Sequence, residues 1–210
     1  MVIRDWSSDV CSSDLSENPL RNELPSSLPG WFEYDATNTL LIVDFGRHMI
    51  YQGTLGATAS LGNPISVVID LAGDDYYGYN RNAYPPTTGV GLCGVGLVLD
   101  SQGNDHYNGS TYAQGAGLFG VGVLCDRAGN DTYTAELSAQ GAGYFGIGLC
   151  LDGTGNDSYY IYGDGQGMGG VVGGIGVCAS FDGDDTYTAE PFSETYNRGD
   201  YHSQNKINGN

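Results

Sequence analysis

Between about residue 40 and residue 190, apolar residues occur in short runs in which they alternate with glycine. The runs at 120–125, 146–151 and 174–178 are typical, with valine, isoleucine, leucine and cysteine between the glycines. A period of two with β-branched side chains predicts β-strands, and no window shows the 3.6-residue period of an amphipathic helix. We therefore expect an all-β fold made of short strands.

The polar segments between these runs repeat. The segment DRAGNDTY at 126–133 recurs as DGTGNDSY at 152–159 and as DSQGNDHY at 100–107, in steps of 26 residues. Less regular copies at 70–77 and 183–187 lie 30 and 28 residues away from their neighbours. The longer steps predict small loop insertions, which we expect around residues 81–86 and 169–174.

A fixed period of this length predicts stacking, because a unit of short strands and turns cannot bury a hydrophobic face alone. The sequence therefore predicts a single-stranded parallel β-helix, or β-solenoid, of five to six rungs of about 26 residues. Equivalent residues would form columns at the interstrand spacing of about 4.8 Å. Alternate glycines would let the backbone bend or approach another strand closely at a corner. The predicted columns are Tyr77/Tyr107/Tyr133/Tyr159/Tyr187, Leu97/Val123/Leu149/Val177 and Cys93/Phe119/Phe145.

Four segments follow from the repeat boundaries. Residues 40–190 are the solenoid repeats, 16–39 are a linker or a cap, and 191–210 are a polar tail. Within residues 1–15, the stretch DWSSDVCSSDL resembles the in-frame translation of a short-read sequencing adapter. We treat 1–15 as non-native and expect the chain to be a fragment whose natural N-terminus is missing.

The composition is glycine-rich and acidic, with 35 glycines, 25 Asp and Glu against 7 Lys and Arg, and a net charge of -18. Such a charge disfavours nucleic acid and anionic membrane surfaces as partners. No apolar run approaches the roughly 20 residues of a membrane-spanning helix. The 16 tyrosines recur at fixed spacing, which favours ordered stacking over disorder.

Four cysteines lie in the repeats, and they show neither C-x-x-C spacing nor a nearby histidine. A zinc site or a redox pair is therefore not expected. We expect buried free thiols, since an unpaired cysteine behaves as a small hydrophobic residue. These cysteines are Cys93, Cys125, Cys150 and Cys178.

In-register stacking would place aspartates in two columns, one on each side of the Gly-Asn turn. Like charges about 4.8 Å apart repel by roughly 1 kcal/mol even in water, so something must offset the repulsion. Calcium does so, because it accepts six to eight oxygens from carboxylates, amides and backbone carbonyls. The candidate calcium ligands are Asp70, Asp75, Asp100, Asn104, Asp105, Asp126, Asn130, Asp131, Asp152, Asn156, Asp157 and Asp185.

The Gly-Asn-Asp-x-Tyr core, as in 103–107, resembles half of the repeat-in-toxin calcium nonapeptide, G-G-x-G-x-D-x-U-x. The resemblance implies calcium binding at the repeated aspartates. The period of 26 residues and the missing first Gly-Gly depart from that family, so its interleaved calcium geometry is not carried over. The alternative is a tight turn in which Asp and Asn bond only to their own backbone.

The aspartates are copied in every rung, whereas a catalytic pair should be singular, and no Ser-His-Asp spacing occurs. We therefore expect a non-enzymatic, secreted or cell-surface structural or adhesive module of bacterial type, stabilised by calcium. Surface glycans or other proteins are the expected partners. The alternative is a fragment of a carbohydrate-active β-helix with lyase or hydrolase activity. A third possibility is ice or glycan binding through a flat face, although the Thr-x-Thr rows expected of an ice-binding protein are missing.

Overall fold

The computed structural model describes residues 31–35, 39–58, 61–78, 88–170 and 173–189. In this part of the chain every regular element is a strand, so no helix is present that could span a membrane. The strands are β1 (Trp31–Asp35), β2 (Leu41–Asp44), β3 (His48–Gln52), β4 (Ile65–Asp70), β5 (Tyr76–Tyr77), β6 (Val95–Leu99), β7 (His106–Asn108), β8 (Gly117–Leu118), β9 (Val121–Cys125), β10 (Thr132–Leu137), β11 (Gly143–Tyr144), β12 (Ile147–Asp152), β13 (Ser158–Gly163), β14 (Gly169–Gly170), β15 (Ile175–Ser180) and β16 (Thr186–Ala189).

The strands form three parallel sheets, which gives each rung three sides. The seven-stranded sheet has the order β1-β3-β5-β7-β10-β13-β16, the six-stranded sheet β15-β12-β9-β6-β4-β2, and the three-stranded sheet β14-β11-β8. One rung runs from β9 through the Gly-Asn turn to β10, then through a corner to β11 and on to β12. The predicted β-solenoid is confirmed, with about 5 turns at roughly 26-residue spacing.

Some predicted segments meet the described residues only in part. Strand β1, within 16–39, is the terminal strand of the seven-stranded sheet and pairs with β3 in register. Residues 1–30 and 190–210 lie outside the described residues, as does the expected insertion at 81–86. Of the second expected insertion, at 169–174, residues 171–172 also lie outside the described residues. Strand β14, directly before residue 171, pairs with β11.

The core is a continuous column of tyrosine rings from the inward face of the seven-stranded sheet. From Tyr51 to Tyr187, successive rings have centroids that lie 4.5 to 5.0 Å apart. Val68, Val98 and Leu124 from the six-stranded sheet pack in the same cluster. The predicted tyrosine column is confirmed, and stacked aromatic rings stabilise the core beyond their burial.

Two of the three sheets approach each other through their backbones. A Cβ atom added to the inward-facing Gly148 of β12 would lie 2.2 Å from the carbonyl oxygen of Ala142, at the corner of the same rung. Gly122 stands in the same relation to Ala116, at 2.0 Å. Glycine is required here because any side chain would overlap the facing backbone, which confirms the predicted close approach.

The corner before β11 is held by a glutamine in a left-handed backbone conformation. Gln140 has a φ of 51°, and its Nε2 donates to the carbonyls of Tyr133 at 3.1 Å and Tyr160 at 3.0 Å. Gln114 makes the equivalent bonds one rung earlier. These bonds tie adjacent rungs together, and they offset the cost of a positive φ in a residue with a side chain.

The cysteine prediction is only partly correct. All four thiols are free, but only Cys150 is buried, whereas Cys93 is exposed and Cys125 and Cys178 are intermediate. Cys125 lies on the outward side of β9, where alternation places every second residue. Cys178 faces inward but lies in β15, the terminal strand of its sheet, so it has a neighbouring strand on one side only.

The predicted aliphatic column Leu97/Val123/Leu149/Val177 is confirmed by strand pairing. Its side chains face outward, because side chains alternate along a strand and the residues on either side of each member point into the core. Of the third column, Phe119 and Phe145 stack with centroids 5.0 Å apart. Both predicted columns therefore lie on the outer surface of the solenoid.

Candidate metal centre

Four rungs carry two aspartates each, at the ends of one tight turn between the six-stranded and seven-stranded sheets: 70 and 75, 100 and 105, 126 and 131, and 152 and 157. The first aspartate lies at the end of the strand or directly after it and faces inward, and in three of the four turns its Oδ1 accepts the backbone N–H two residues later. Asp126 accepts from Ala128 at 3.1 Å, and Asp100 accepts from Gln102 at 3.0 Å. This local bond is the turn chemistry expected of aspartate, and in these two turns it occupies one oxygen of the first aspartate.

The second aspartate connects one rung to the next. Asp131 Oδ1 accepts the N–H of Asp105 at 2.7 Å, and Asp157 Oδ1 accepts the N–H of Asp131 at 2.8 Å. Asp75 and Asp185 continue this column at its two ends. Backbone N–H donors thus offset part of the repulsion expected between stacked carboxylates. The sequence pattern did not predict these hydrogen bonds.

The other oxygen of the first aspartate accepts a hydrogen bond from a tyrosine of the core column. The hydroxyl of Tyr107 donates to Asp126 Oδ2 and that of Tyr133 to Asp152 Oδ2, each at 2.6 Å. The equivalent hydroxyls of Tyr51 and Tyr77 do the same. Sequence reasoning missed these bonds because it treated tyrosine as an apolar stacking residue. The recurring 19-residue separation from Tyr to Asp was the available signal.

The two aspartate columns meet in buried clusters. In each cluster, three carboxylates offer oxygens that lie within 4.8 Å of one another. The clusters are Asp70/Asp75/Asp100, Asp100/Asp105/Asp126 and Asp131/Asp152/Asp157. Every member is at most 1% exposed. Because Asp100 belongs to two clusters, these neighbouring clusters share a ligand and are not independent sites.

One oxygen per second aspartate remains without a hydrogen-bonding partner, although it is buried. These atoms are Oδ2 of Asp75, Asp105, Asp131 and Asp157, joined by Oδ1 of Asp152. Among the described residues, no lysine or arginine forms an ion pair with these aspartates. A buried carboxylate oxygen without a donor is costly, so these positions call for a proton or a cation.

Burial has a large effect on the acidity of these groups. Loss of solvation, followed by repulsion from neighbouring carboxylates, raises the pKa of Asp105 and Asp131 far above the usual range of aspartate. Asp157 has its pKa raised to about 7, again chiefly by loss of solvation. Without a cation, the clusters must therefore retain protons near neutral pH.

The clusters have the chemistry of a hard-cation site. Their donors are carboxylate oxygens alone, which suits Ca²⁺ or Mg²⁺ and differs from the sulfur and nitrogen ligands typical of structural zinc. A cation would take the place of the proton between the two columns, and its positive charge would neutralise the unpaired Oδ2 atoms. The clustered aspartates can therefore hold a metal ion.

The candidate asparagines lie elsewhere. Asn104, Asn130 and Asn156 form a separate exposed ladder, in which each Oδ1 accepts the N–H of the equivalent residue in the next rung, ending at Asp184. Asp185 accepts the N–H of Asp157 at 3.0 Å but belongs to none of the clusters. The structure thus brings together the eight aspartates of the three clusters and leaves the asparagines at the outer edge of the turn.

The site is therefore a row of buried carboxylate clusters along the solenoid axis, at the turn between two sheets. Each cluster takes its residues from two successive rungs, so anything bound there bridges them. In comparisons with known proteins, no family model, no curated protein and no solved structure matches this chain.

Proposed function

We propose that this chain is a non-enzymatic structural or adhesive repeat module of the bacterial cell surface or extracellular space, stabilised by calcium at its aspartate clusters. The observation that carries the proposal is the row of buried, unpaired Oδ2 atoms in clusters of three carboxylates. A cation there would bridge consecutive rungs and would stabilise the stack of rungs rather than act on a substrate.

Calcium fits these clusters better than magnesium. Calcium tolerates irregular, oxygen-rich geometry, whereas magnesium demands near-octahedral coordination and keeps several water molecules. The carboxylates of the clusters are already held by backbone N–H groups and tyrosine hydroxyls, so they are not free to rearrange into a regular octahedron. Extracellular calcium modules bind at about 10⁻⁴ to 10⁻³ M, so a surface location supplies enough of the ion.

The carbohydrate-active alternative needs two carboxylates that a sugar can reach. The clustered aspartates are at most 1% exposed, so they are closed to a glycan. They are also repeated from rung to rung, while cleavage needs one pair at a defined separation. No feature of the described residues favours this alternative over a scaffold.

The test is thermal unfolding of the full chain at pH 7.5, in EDTA and in millimolar calcium, followed by circular dichroism. A ligand that binds only the folded state adds about 2.7 kcal/mol at a hundredfold excess over its Kd. We expect the midpoint to rise by several degrees in calcium. The substitution D131N/D157N, which removes two ligands of one cluster, should reduce the rise.

A matched control is D182N/D184N, which removes the same charge at two exposed positions of the last turn. It should keep the full calcium response. Terbium is a second probe, since it replaces calcium and its luminescence is excited by a nearby tyrosine. Tyr133 is hydrogen-bonded to a cluster ligand, so we expect sensitised terbium emission that calcium displaces. An unchanged midpoint together with absent terbium emission would contradict the proposal.

A further inference from the structure

The six-stranded sheet has an unusual distribution of polarity. Its inward positions carry glycine, aspartate and two serines beside a single aliphatic or cysteine column, as in Gly122, Leu124 and Asp126. Its outward positions carry only aliphatic side chains, cysteine and alanine. A sheet with one face in water alternates apolar-inward and polar-outward, whereas near-continuous apolar runs are typical of a sheet covered on both faces. The outward side of this sheet therefore has the composition of a buried surface.

Strand pairing aligns the outward residues of this sheet in three columns, which we call the aliphatic face. The columns are Ile65/Val95/Val121/Ile147/Ile175, Leu41/Val67/Leu97/Val123/Leu149/Val177 and Val43/Ile69/Leu99/Cys125/Leu151/Ala179. Ile65, Ile175 and Val95 are 48%, 55% and 43% exposed. No charged side chain interrupts these columns.

The exposed phenylalanines extend this face at one border. Phe119 and Phe145 lie two residues before β9 and β12, are 61% and 47% exposed, and stack on each other. Six strands about 4.8 Å apart, each with about five residues rising 3.3 Å, cover roughly 450 Å² in projection. This projected area is as large as the biggest apolar patches on ordinary monomers, and such patches are often interaction sites.

We infer that the aliphatic face is a self-association surface, on which a second copy of this chain packs its own aliphatic face. The face is a regular sheet surface without charge, so two copies related by a two-fold axis present the same surface to each other. Two such sheets would pack about 10 Å apart with interdigitating side chains, as the two layers of a β-sandwich do.

The area and the charge decide the strength of this association. Stable interfaces bury about 800 Å² per partner, so a flat area of roughly 450 Å², enlarged by side-chain relief and by the phenylalanines, predicts a weak dimer with a micromolar Kd. Each copy carries a net charge of -18, and this charge opposes association. Salt should therefore strengthen the dimer by screening the repulsion, the reverse of its effect on an association driven by opposite charges.

A second copy fits this face better than the chain's own C-terminal residues. Residues 191–210 read PFSETYNRGDYHSQNKINGN, in which polar residues predominate. An aliphatic face needs an aliphatic partner, because a polar segment placed on it would lose hydration without gaining hydrogen bonds. The self-association does not depend on metal, since none of its residues belongs to an aspartate cluster.

The test is sedimentation velocity of the full chain from about 1 to about 200 μM, a range that brackets the micromolar Kd expected from the area, at low and at high salt, in calcium and in EDTA. We expect a monomer–dimer equilibrium in both metal conditions, strengthened at high salt. The variant V123K/L149K adds two charges at the centre of the aliphatic face and should raise the Kd more than about tenfold. The control S158K/T186K adds the same charges at exposed positions of the seven-stranded sheet and should still dimerise.

Circular dichroism verifies that each variant is folded. If V123K/L149K unfolds, the milder L149T, which introduces a β-branched residue suited to a strand, should still weaken the dimer severalfold. A wild-type protein that stays monomeric at every concentration would overturn the proposal. So would a dimer that V123K/L149K and L149T leave unchanged. Because calcium is varied separately, failure here is distinguishable from failure of the calcium proposal.

Discussion

At the scale of single residues, each of Tyr77, Tyr107 and Tyr133 in the core column makes two different contributions. Its ring stacks between the rings of the rungs before and after it, while its hydroxyl reaches the turn and donates to an aspartate. Tyr133 shows both, with ring centroids 4.8 and 4.5 Å from its neighbours and a 2.6 Å bond to Asp152. Phenylalanine could replace the ring but not the hydroxyl, which explains why tyrosine recurs at this position.

The substitution Tyr133→Phe should therefore destabilise the protein although it preserves the stack. Asp152 would be left with a buried oxygen lacking its donor, which costs about 1–3 kcal/mol. The control is Tyr76→Phe, whose hydroxyl has no hydrogen bond to any described residue; it should change stability by less than about 0.5 kcal/mol. Urea denaturation measures both. Equal effects of the two substitutions would refute the role of the tyrosine hydroxyl.

The aspartate clusters predict an unusual pH dependence in the absence of metal. Burial raises the pKa of Asp157 to about 7 and that of Asp131 to about 9, whereas aspartate in an unfolded chain titrates near 3.9. Between these values the folded state binds more protons than the unfolded state. The stability contributed by these protons is therefore complete below about pH 4 and is lost as the pH rises towards about 9.

In EDTA we thus expect the unfolding midpoint to fall steadily between about pH 5 and about pH 9. Calcium should flatten this slope, because it replaces the proton, and its stabilising effect should be larger at about pH 8.5 than at about pH 5.5. Thermal scans over this pH range with and without calcium measure both effects. A midpoint in EDTA that rises with pH would mean that the clusters are ionised and otherwise compensated.

At the scale of elements, the period and the alternation predicted most of what the structure shows. The 26-residue period predicted the rungs. The position of Tyr133 or Val123 within the repeat predicted its column, because parallel in-register strands align equivalent residues. The contacts made by polar atoms were not predictable in the same way. The tyrosine-to-aspartate bond and the aspartate-to-backbone bond depend on how two turns stack, which no single repeat encodes.

The asparagines illustrate the same limit. Asn130 lies between Gly129 and Asp131, so in sequence it looks like a third ligand of the turn. Alternation of side-chain direction instead points Asp131 inward and Asn130 outward, where its backbone N–H and side-chain amide both donate to Asn104 of the preceding rung. The separation of these neighbours follows from strand geometry, and sequence spacing alone does not show which of them faces the core.

The backbone contact between two sheets gives a prediction at the same scale. The substitution Gly148→Ala places a Cβ 2.2 Å from the carbonyl oxygen of Ala142, so the two sheets must separate locally. Overpacking of this kind costs about 1–3 kcal/mol, and more where backbone rather than side chain must move. Ser158→Ala, at an exposed position of the seven-stranded sheet, is the control and should be nearly neutral. Urea midpoints that agree between the two variants would refute the close approach.

At the scale of the whole molecule, the solenoid separates its chemistry by side. The turn between the six-stranded and seven-stranded sheets holds the carboxylate clusters, and the outward side of the six-stranded sheet holds the aliphatic face. These two features lie on different parts of each rung and share no residue. The proposed metal binding and the proposed self-association can therefore be tested separately, and a variant that loses one is expected to retain the other.

In all three sheets, successive rungs pair with equivalent residues side by side, and this shared register makes the rungs interchangeable. An in-frame duplication of one repeat in the gene would insert a rung whose tyrosine, aspartates and aliphatic residues fall into columns that already exist. The neighbours on either side would meet the same surfaces as before. Such a protein can lengthen or shorten by whole units during evolution, and the number of its aspartate clusters and the area of its aliphatic face would change in proportion to its length.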